Sequence, residues 1–352
     1  MAYSVHPVDV ATDRERILAV WGDHDKGAFG SKFQWIYRDN PAGPASVWIL
    51  RDDASETDVG VSAVFPRLFR WRGRSVRAGI AGDLHVQEGH RRAGPALQLE
   101  RAVVQGAWAR GIEFMYGFPN ALAEPVMKRI GFRPLGPRAR YVKVLRTGDY
   151  LGRGGAPAVF TRPLGLVLDQ CMKGWDRLAR GNPPAGLETG PLPGFDDRFD
   201  ALWAEASSAY TVIGERDARH LRWRYAAAGG DPHGIFGLWD RRSSSLRGYV
   251  VHRAQGHSLE IRDALAPPDP AIWGALLAGF SAWARSQGTV SMIWTALQDS
   301  ELERLCLRRA GFHRRTDPLH VFAAPGPRLA SADPDFLNSA LWTVFQSDDD
   351  CP

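Results

Sequence analysis

The chain has 352 residues, of which 44% are hydrophobic and 24% are charged. These are ordinary values for a soluble globular protein, and they exclude a largely disordered chain, a collagen-like repeat and a coiled coil. The 44 Lys and Arg residues exceed the 39 Asp and Glu residues and give a formal net charge of +5, which suits an anionic small molecule as well as a nucleic acid.

The first part of the chain is predicted to alternate strands and helices. A short strand at 47–51 precedes a long hairpin, 59–71 and 75–86, that closes at Gly73. A helix at 95–110 follows, with proline in its first turn and apolar residues at Leu99, Val103 and Ala107. The remaining predicted elements are, in chain order, a strand at 112–116, a helix at 121–130 and a strand at 141–145.

The rest of the chain is predicted to contain a connector and a second set of similar elements. The connector begins and ends with Gly and Pro, and its amphipathic stretch at 164–178 indicates a helix. Beyond it, strands are expected at 233–238, 248–252 and 290–295, and helices at 270–285 and 299–309. With about 150 residues per domain, the length also predicts two domains.

Short sequence matches recur in the same order in both halves. The FQWIY segment around Trp35 matches LRWRY around Trp223, 188 residues later, and AWAR and Arg-x-Gly-Phe also occur twice. Several matches in one order predict two copies of one fold. The expected domains are 1–150 and 187–352, joined by a helical connector at 151–186.

Membrane and disulfide signals are weak in this sequence. The longest uncharged apolar stretch, 270–284, is shorter than the ~20 residues of a membrane helix. The first residues lack the apolar core of a signal peptide. The three cysteines are far apart and odd in number, so they give neither a disulfide framework nor a zinc spacing. We therefore expect a cytoplasmic protein with no membrane insertion and no metal.

A basic, glycine-containing loop leads from the hairpin into the helix at 95–110. The first N–H groups of a helix are unpaired and its dipole is positive there. Gly94 allows close approach of a ligand, Pro95 presets the first turn, and His90, Arg91 and Arg92 add charge. This pattern is typical of a pyrophosphate site. An ordinary strand-to-helix turn with solvated arginines has the same spacing.

These motifs resemble a known family. Arg91-x-x-Gly94-x-Ala96 after Leu84-x-Val86, followed by Gly117-Phe-Pro-Asn120 and Arg129-Ile-Gly-Phe132, is similar to the acetyl-CoA region of GCN5-related N-acetyltransferases (GNAT). The resemblance implies an α/β (α+β) chain of two tandem GNAT folds, each a mixed, mostly antiparallel twisted sheet flanked by helices. It implies acetyl-CoA or another acyl-CoA as cofactor, contacted by Leu84, Val86, Arg91, Arg92, Ala93, Gly94, Pro95, Ala96 and Asn120.

The Gly-Phe-Pro-Asn run is similar to tandem GNAT proteins linked to amino-sugar and surface-polysaccharide acylation. It implies an N-acetyltransferase in which a primary amine attacks the thioester directly. The implied acceptor is a small molecule, the amine of a sugar or sugar nucleotide, and no nucleic-acid partner is expected. Two alternatives stay open: a degenerate CoA-binding module that recognises a partner without chemistry, and a Fem-type aminoacyl transferase, which also has paired GNAT folds.

The catalytic residues are less clear, because Met127 stands where many relatives carry a tyrosine that protonates the departing thiolate. The candidates are Asp83, His85 and Tyr116, and the ordinary imidazole pKa of ~6.5 suits a base. Strand alternation puts Asp83 and His85 on one face and Leu84 on the other, unless a bulge changes this. A structural histidine is the competing interpretation.

The second copy departs from the pattern. Its corresponding turn is Pro267-Pro-Asp-Pro270, without glycine or basic residues, and Asp269 would repel a phosphate. This copy is expected to keep the fold, to bind no cofactor and to form one wall of the acceptor pocket. At the end of the chain, the apolar run 341–345 is expected to dock on the body, and the acidic run 347–350 is expected to be disordered.

Overall fold

The structure, a computed structural model, describes residues 3–21, 30, 32–91, 93–148, 158–179, 185–225, 232–300 and 302–349. The described strands are β1 Tyr3–Val8, β2 Ser46–Asp52, β3 Thr57–Trp71, β4 Arg74–Val86, β5 Phe114–Gly117, β6 Arg133–Val144, β7 Leu187–Leu192, β8 Val212–Gly214, β9 His233–Asp240, β10 Leu246–Gln255, β11 Ser258–Leu265, β12 Ser291–Leu297, β13 His313–Pro325 and β14 Trp342–Thr343. The described α-helices are α1 Arg14–Trp21, α2 Ala93–Ala109, α3 Glu124–Arg129, α4 Ala158–Ala179, α5 Asp197–Ala206, α6 Ala218–Tyr225, α7 Pro270–Ser286 and α8 Pro327–Ala332.

All of these strands belong to one mixed, mostly antiparallel sheet. Its main path runs β1-β2-β3-β4-β5-β13-β6-β12-β11-β10-β9-β7, and β8 joins β3 to β14 at the side. The parallel pairs are β4 with β5, β11 with β12, and β8 with β14. The α/β expectation is therefore confirmed.

The two halves of the chain exchange their last long strands. Strand β13 of the second half pairs antiparallel with β5 of the first, from Phe322 opposite Gly117 to Pro325 opposite Phe114. Strand β6 of the first half pairs with β12 of the second, from Ser291 opposite Val144 to Leu297 opposite Arg138. Because β6 and β13 also pair with each other, the backbone of each half completes the sheet of the other.

The predicted hairpin forms β3 and β4. Its register runs from Phe65 opposite Ile80 to Trp71 opposite Arg74, and Gly73 in the turn has a φ of +80°. Glycine adopts this left-handed backbone without the steric cost of a side chain. The arms are longer than the other strands of the first half, and they carry the residues that line the cleft described below.

Helices cover both faces of the first half of the sheet. On one face, α1 and the π-helical turn Phe33–Arg38 pack on an aromatic core that also receives side chains from the second half, including Trp223 and Trp342. On the other face, α2 packs through the predicted Leu99, Val103 and Ala107. The same strands therefore contact an aromatic core on one face of the sheet and helix α2 on the other.

Two helix predictions need correction, and some strands were not predicted. The helix expected at 299–309 is only the short π-helical turn Glu303–Leu307, and the helix expected at 121–130 is shortened to α3. Strands β11 and β13 were not predicted. Strand β11 pairs with β10 along its length but with β12 only from Ser258 to Ile261, and its apolar residues lie beside buried charged ones. Within the described residues, no helix is long and apolar enough to cross a membrane.

Candidate functional site

A β-bulge interrupts the β3–β4 ladder at the predicted site. Val61 lies opposite His85, whereas Ala63 lies opposite Gly82, so β4 carries one extra residue here. Asp83 has a φ of +53°, a left-handed conformation that is uncommon for a residue with a side chain. Such strain persists only where the surroundings enforce it, and it clusters at functional sites.

The side chain of Asp83 is held from the α1 side of the sheet. It accepts hydrogen bonds from Lys32 Nζ at 2.6 Å and from the Tyr37 hydroxyl at 2.7 Å. His85 also lies on this side, stacked on Trp21 of α1 with ring centroids 4.6 Å apart. Leu84 packs on the opposite, α2 side. The bulge therefore leaves Asp83 and His85 on the same face, as simple alternation predicts.

A cleft opens where β4 and β5 separate. These strands pair in parallel only from Ala78 to Ile80, and beyond that point they diverge around a cavity of about 330 Å³. The cleft brings together three of the predicted site residues, Asp83, Leu84 and Asn120. Its other lining residues are Trp21, Ala81, Gly82, Glu100, Phe118, Pro119, Ala123 and Met127.

The glycine loop connects this cleft to the first turn of α2. Arg91 Nε donates to the carbonyl of Val86 at 2.8 Å, and the helix begins at Ala93, two residues earlier than predicted. Gly94 is exposed, and no atom lies within 4 Å of the position that a Cβ would take there. Pro95 is buried and Ala96 is half-buried, whereas Arg92 lies outside the described residues. The backbone at Gly94 is thus open to a ligand.

Asn120 has a local structural partner as well as a place in the cleft. Its Oδ1 accepts hydrogen bonds from the backbone N–H groups of Leu122 at 3.0 Å and Ala123 at 2.9 Å. These bonds hold the turn that leads into α3, which is the usual local role of asparagine. The residue therefore fixes the rim of the cleft.

Tyr116 lies apart from the cleft. Its side chain is fully buried, and its hydroxyl donates to the backbone oxygen of Asp348 at 2.9 Å. Burial raises the pKa of Tyr116 well above its ordinary value, although the nearby Arg67 guanidinium opposes this. The residue is part of an internal polar network and does not line the described cavity.

Glu100 also lines the cleft, although it is not among the site residues predicted from the sequence. It is 3% exposed and lies on α2, where the Ser62 hydroxyl of β3 donates to its Oε1 at 2.5 Å. Burial raises the pKa of this carboxyl to about 7, against the opposing effect of the Ser62 hydrogen bond. A signal was present in the sequence, because Glu100 falls at helical spacing before Val103 and Ala107, on the apolar side of α2.

The corresponding gap in the second half is filled by the chain itself. Strands β11 and β12 pair in parallel from Ser258 to Ile261 and then diverge. Phe345 forms an isolated bridge to Ala296 of β12, and the Gln346 amide lies within hydrogen-bond distance of Glu260 and Arg262 of β11. The C-terminal segment 342–348 thus occupies the place that is an open cleft in the first half.

Asp348 anchors this segment and is 0% exposed. Its two oxygens accept hydrogen bonds from Arg67 of the first half at 2.9 Å and from Arg216 of the second at 2.8 Å, and Arg216 also pairs with Asp263. The expectation of a disordered acidic end is wrong for residues 347–349. The Asp348 carboxylate forms ion pairs with both buried guanidinium groups, and these ion pairs hold the tail in place.

The turn before α7 differs from the glycine loop of the first half in one further respect. The Asp269 side chain accepts a hydrogen bond from the Ala271 N–H at 2.7 Å and so caps its own helix. The carboxylate occupies the place of an external anion at the helix terminus. Among the described residues, no group of three His, Cys, Asp or Glu side chains is placed to hold a metal ion.

Comparison with known proteins identifies the fold. No protein-family model and no curated protein matches the chain. A probable N-acyltransferase from Enterococcus faecalis V583 is similar in structure, with a TM-score of 0.66, 13% identity, and coverage of 93% of this chain and 73% of that one. A GCN5-related N-acetyltransferase from Anabaena variabilis gives a TM-score of 0.63 at 12% identity, covering 93% and 74%.

A tandem arrangement is also found among solved structures. A tandem GNAT protein from the clavulanic acid biosynthesis pathway, determined without acetyl-CoA, has a TM-score of 0.50 and 12% identity, and the match covers 92% of this chain and 99% of that one. At these identities the similarity establishes the fold alone. The chain therefore has the fold of the GCN5-related N-acetyltransferases, in two tandem copies built on one sheet.

Proposed function

We propose that the protein is an acyl-CoA-dependent N-acyltransferase whose active site is the cleft between β4 and β5. The observation that carries this proposal is that the open glycine loop at Gly94 lies in the chain between Leu84 and Glu100, two residues that line the cleft. The cleft would then bind the extended pantetheine arm of CoA, and the start of α2 would bind the CoA phosphates. The GNAT fold of the chain supports this assignment.

The residues present fit an acyl-CoA. Acyl-CoA supplies an activated thioester carbon to the site. The backbone from Arg91 to Ala96 would hold the pyrophosphate, since an added Cβ at Gly94 would enter open space where the ligand approaches. Leu84 and Val86 on β4 would bind the pantetheine arm beside the bulge, and Asn120 lies on the opposite rim.

We propose a small-molecule primary amine as acceptor, with an amino sugar or sugar nucleotide as its class. The Gly117–Asn120 run supports this class by its resemblance to tandem GNAT proteins of polysaccharide acylation. On the α1 side of the cleft, the Asp83 carboxylate would orient the amine, and the Trp21 ring beside His85 offers an apolar face. Tyr116 would act from the interior, by fixing the end of β5.

We also propose that the first unit, 1–150, carries the cofactor site and that the unit 187–352 is degenerate, with 151–186 as connector. Two observations support this assignment: the C-terminal segment fills the gap between β11 and β12, and Asp269 caps α7. One acyl-CoA would then bind per chain. The exchanged strands make the two units parts of a single sheet.

The test is release of CoA thiol from acetyl-CoA against a panel of amines that includes D-glucosamine and simple alkylamines. A parallel assay replaces acetyl-CoA with aminoacyl-tRNA as donor and measures aminoacyl transfer to the same amines. Turnover with an amino sugar supports the proposal. Turnover that requires aminoacyl-tRNA as donor would support a Fem-type transferase. Tight CoA binding without turnover of any amine would favour the partner-recognition module and overturn the enzyme assignment.

A further inference from the structure

We propose that Glu100 is the general base of this cleft, taking the proton of the attacking amine from the α2 side of the sheet. This inference rests on the proposed acyltransferase function and deepens it. The sequence-based candidates Asp83 and His85 lie on the opposite, α1 side, where their side chains contact Lys32, Tyr37 and Trp21.

The position of Glu100 is set by two neighbouring elements. Its helix, α2, begins at the glycine loop, so Glu100 lies less than two turns from the proposed pyrophosphate site. Its partner Ser62 lies on β3 between Val61 and Ala63, which is the stretch opposite the bulge of β4. The carboxyl therefore lies beneath the point where Asp83 and Leu84 leave the regular ladder.

The carboxyl is both buried and part of the cleft wall. Glu100 lines the cavity together with Leu84 and Met127, yet almost none of its surface is exposed. Among the described residues, its hydrogen-bond partner is the neutral Ser62 hydroxyl, and no described cation forms an ion pair with it. Burying a carboxylate without a cation is costly, so such groups are rare unless they serve a function.

Charged and titratable groups on each element packed against α2 pair with residues other than Glu100. Glu124 and Lys128 of α3 pair with each other, and Tyr3 of β1 is hydrogen-bonded to His90. On β2, Arg51 lies 3.7 Å from Asp58 of β3, and on β4 Asp83 pairs with Lys32. The environment of Glu100 is thus set by burial and by Ser62, and its pKa of about 7 suits proton transfer near neutral pH.

Glu100 by itself can both accept the proton of the amine and deliver a proton to the leaving thiolate. As the amine nitrogen forms its bond to the acyl carbon, the C–S bond breaks and its electron pair leaves on sulfur. The excess proton of the nitrogen passes to the Glu100 carboxylate, and the resulting carboxylic acid returns it to the thiolate. Met127 has no proton to donate, and Glu100 on the same cleft wall supplies this step.

The experiment compares pH profiles of kcat/KM for acetyl transfer to D-glucosamine, or to the best amine of the panel. Wild-type activity should rise with pH around 7, and Glu100→Gln should lose about two to four orders of magnitude together with this rise. Ser62→Ala should move the rise to higher pH, because the Ser62 hydrogen bond lowers the carboxyl pKa. The ionisation of the amine is common to all variants and cannot produce these differences.

Two controls keep the outcome clear. Glu15→Gln removes a carboxylate that is 86% exposed and should match the wild type. Calorimetry with CoA should give unchanged affinity for Glu100→Gln, which shows that the cofactor site is intact, and Glu100→Asp should keep the pH-dependent rise at a lower rate. Infrared titration of the whole chain should show a protonated carboxyl that disappears near pH 7 and is absent from Glu100→Gln.

The possible failures are distinguishable. If the wild type turns over an amine and Glu100→Gln keeps its rate and its pH-dependent rise, the base proposal is overturned while the acyltransferase function stands. If the rise of kcat/KM with pH is lost in His85→Ala instead, the general base lies on the α1 side of the sheet. If the wild type turns over none of the amines, both proposals fall together.

Discussion

Trp35 and Trp223 exchange identical hydrogen bonds across the two halves of the molecule. Trp35 Nε1 donates to the backbone oxygen of Trp223 at 3.0 Å, and Trp223 Nε1 donates to the backbone oxygen of Trp35 at 2.9 Å. Their rings stack with centroids 5.1 Å apart. A residue that meets its own counterpart in this way is typical of a contact on a two-fold axis. Here the repeat within one chain produces it.

This contact predicts matched effects of substitution. Trp35→Ala and Trp223→Ala should each lower the free energy of unfolding by about 3–5 kcal/mol, because both rings are buried. The double variant should lose less than the sum, since each single variant already removes the shared contact. Urea denaturation measures this. Trp175→Ala, at a position 55% exposed, is the control and should cost about 1 kcal/mol or less. Strict additivity would show that the two rings are not coupled.

The glycine loop predicts a selective loss of cofactor binding. Gly94→Glu should abolish CoA binding, because the side chain and its negative charge would enter the space open to the pyrophosphate. Gly94→Ala is the matched control and should bind more weakly than wild type but measurably, since its small side chain carries no charge. Calorimetry on variants with unchanged circular dichroism measures both affinities. Equal affinity of wild type and Gly94→Glu would place the cofactor elsewhere.

The filled second gap predicts one CoA per chain. A titration of the whole protein with CoA should saturate at one equivalent, because the C-terminal segment occupies the second gap and Asp269 caps α7. Gly94→Glu should then leave no binding at all. Two equivalents, or one remaining in this variant, would refute the assignment of the second copy as degenerate.

Asp348 predicts an acid-sensitive link between the halves. Although burial opposes its ionisation, the guanidinium groups of Arg216 and Arg67 hold the pKa of Asp348 below its ordinary value. Its contribution to stability is therefore present above the unfolded pKa of ~3.9 and is lost as pH falls through the folded value. Asp348→Ala should cost about 3–5 kcal/mol at pH 7, because it leaves two buried guanidinium groups without this partner. The deficit should shrink below pH 4 in thermal or urea unfolding, and a deficit independent of pH would contradict the ion-pair explanation.

Glu100 predicts the opposite pH dependence. Its folded pKa is raised from 4.5 to about 7, so its contribution is fully present below pH 4.5 and is lost as pH rises through 7. Glu100→Gln removes this loss and should gain about 3 kcal/mol relative to wild type between pH 5 and pH 9. Urea midpoints at both pH values measure the gain, with Glu15→Gln as a control that should follow the wild type. Parallel curves for wild type and Glu100→Gln would mean that the carboxyl is not desolvated.

Much of the local structure follows from the sequence pattern. The alternating hairpin around Gly73, the apolar spacing of Leu99, Val103 and Ala107, and the loop at Gly94 each involve neighbouring residues, whose geometry is set by short-range sterics and hydrogen bonding. The long strand β13 escaped prediction, because its charged and proline-containing first half lacks a clear period. Pairing with β6 and β5 stabilises it as a strand, and such pairing depends on residues far away in the chain.

The sequence by itself determined the repeated fold, the glycine loop and the absence of that loop from the second copy. Only the tertiary structure decided which strands the two copies exchange, that Asp348 is buried between Arg67 and Arg216, and that Glu100 lies in the cleft wall against Ser62. The reason is physical. A helix or hairpin is specified by contacts between near neighbours, whereas the burial of a charge and its pKa depend on which distant segments exclude water from it.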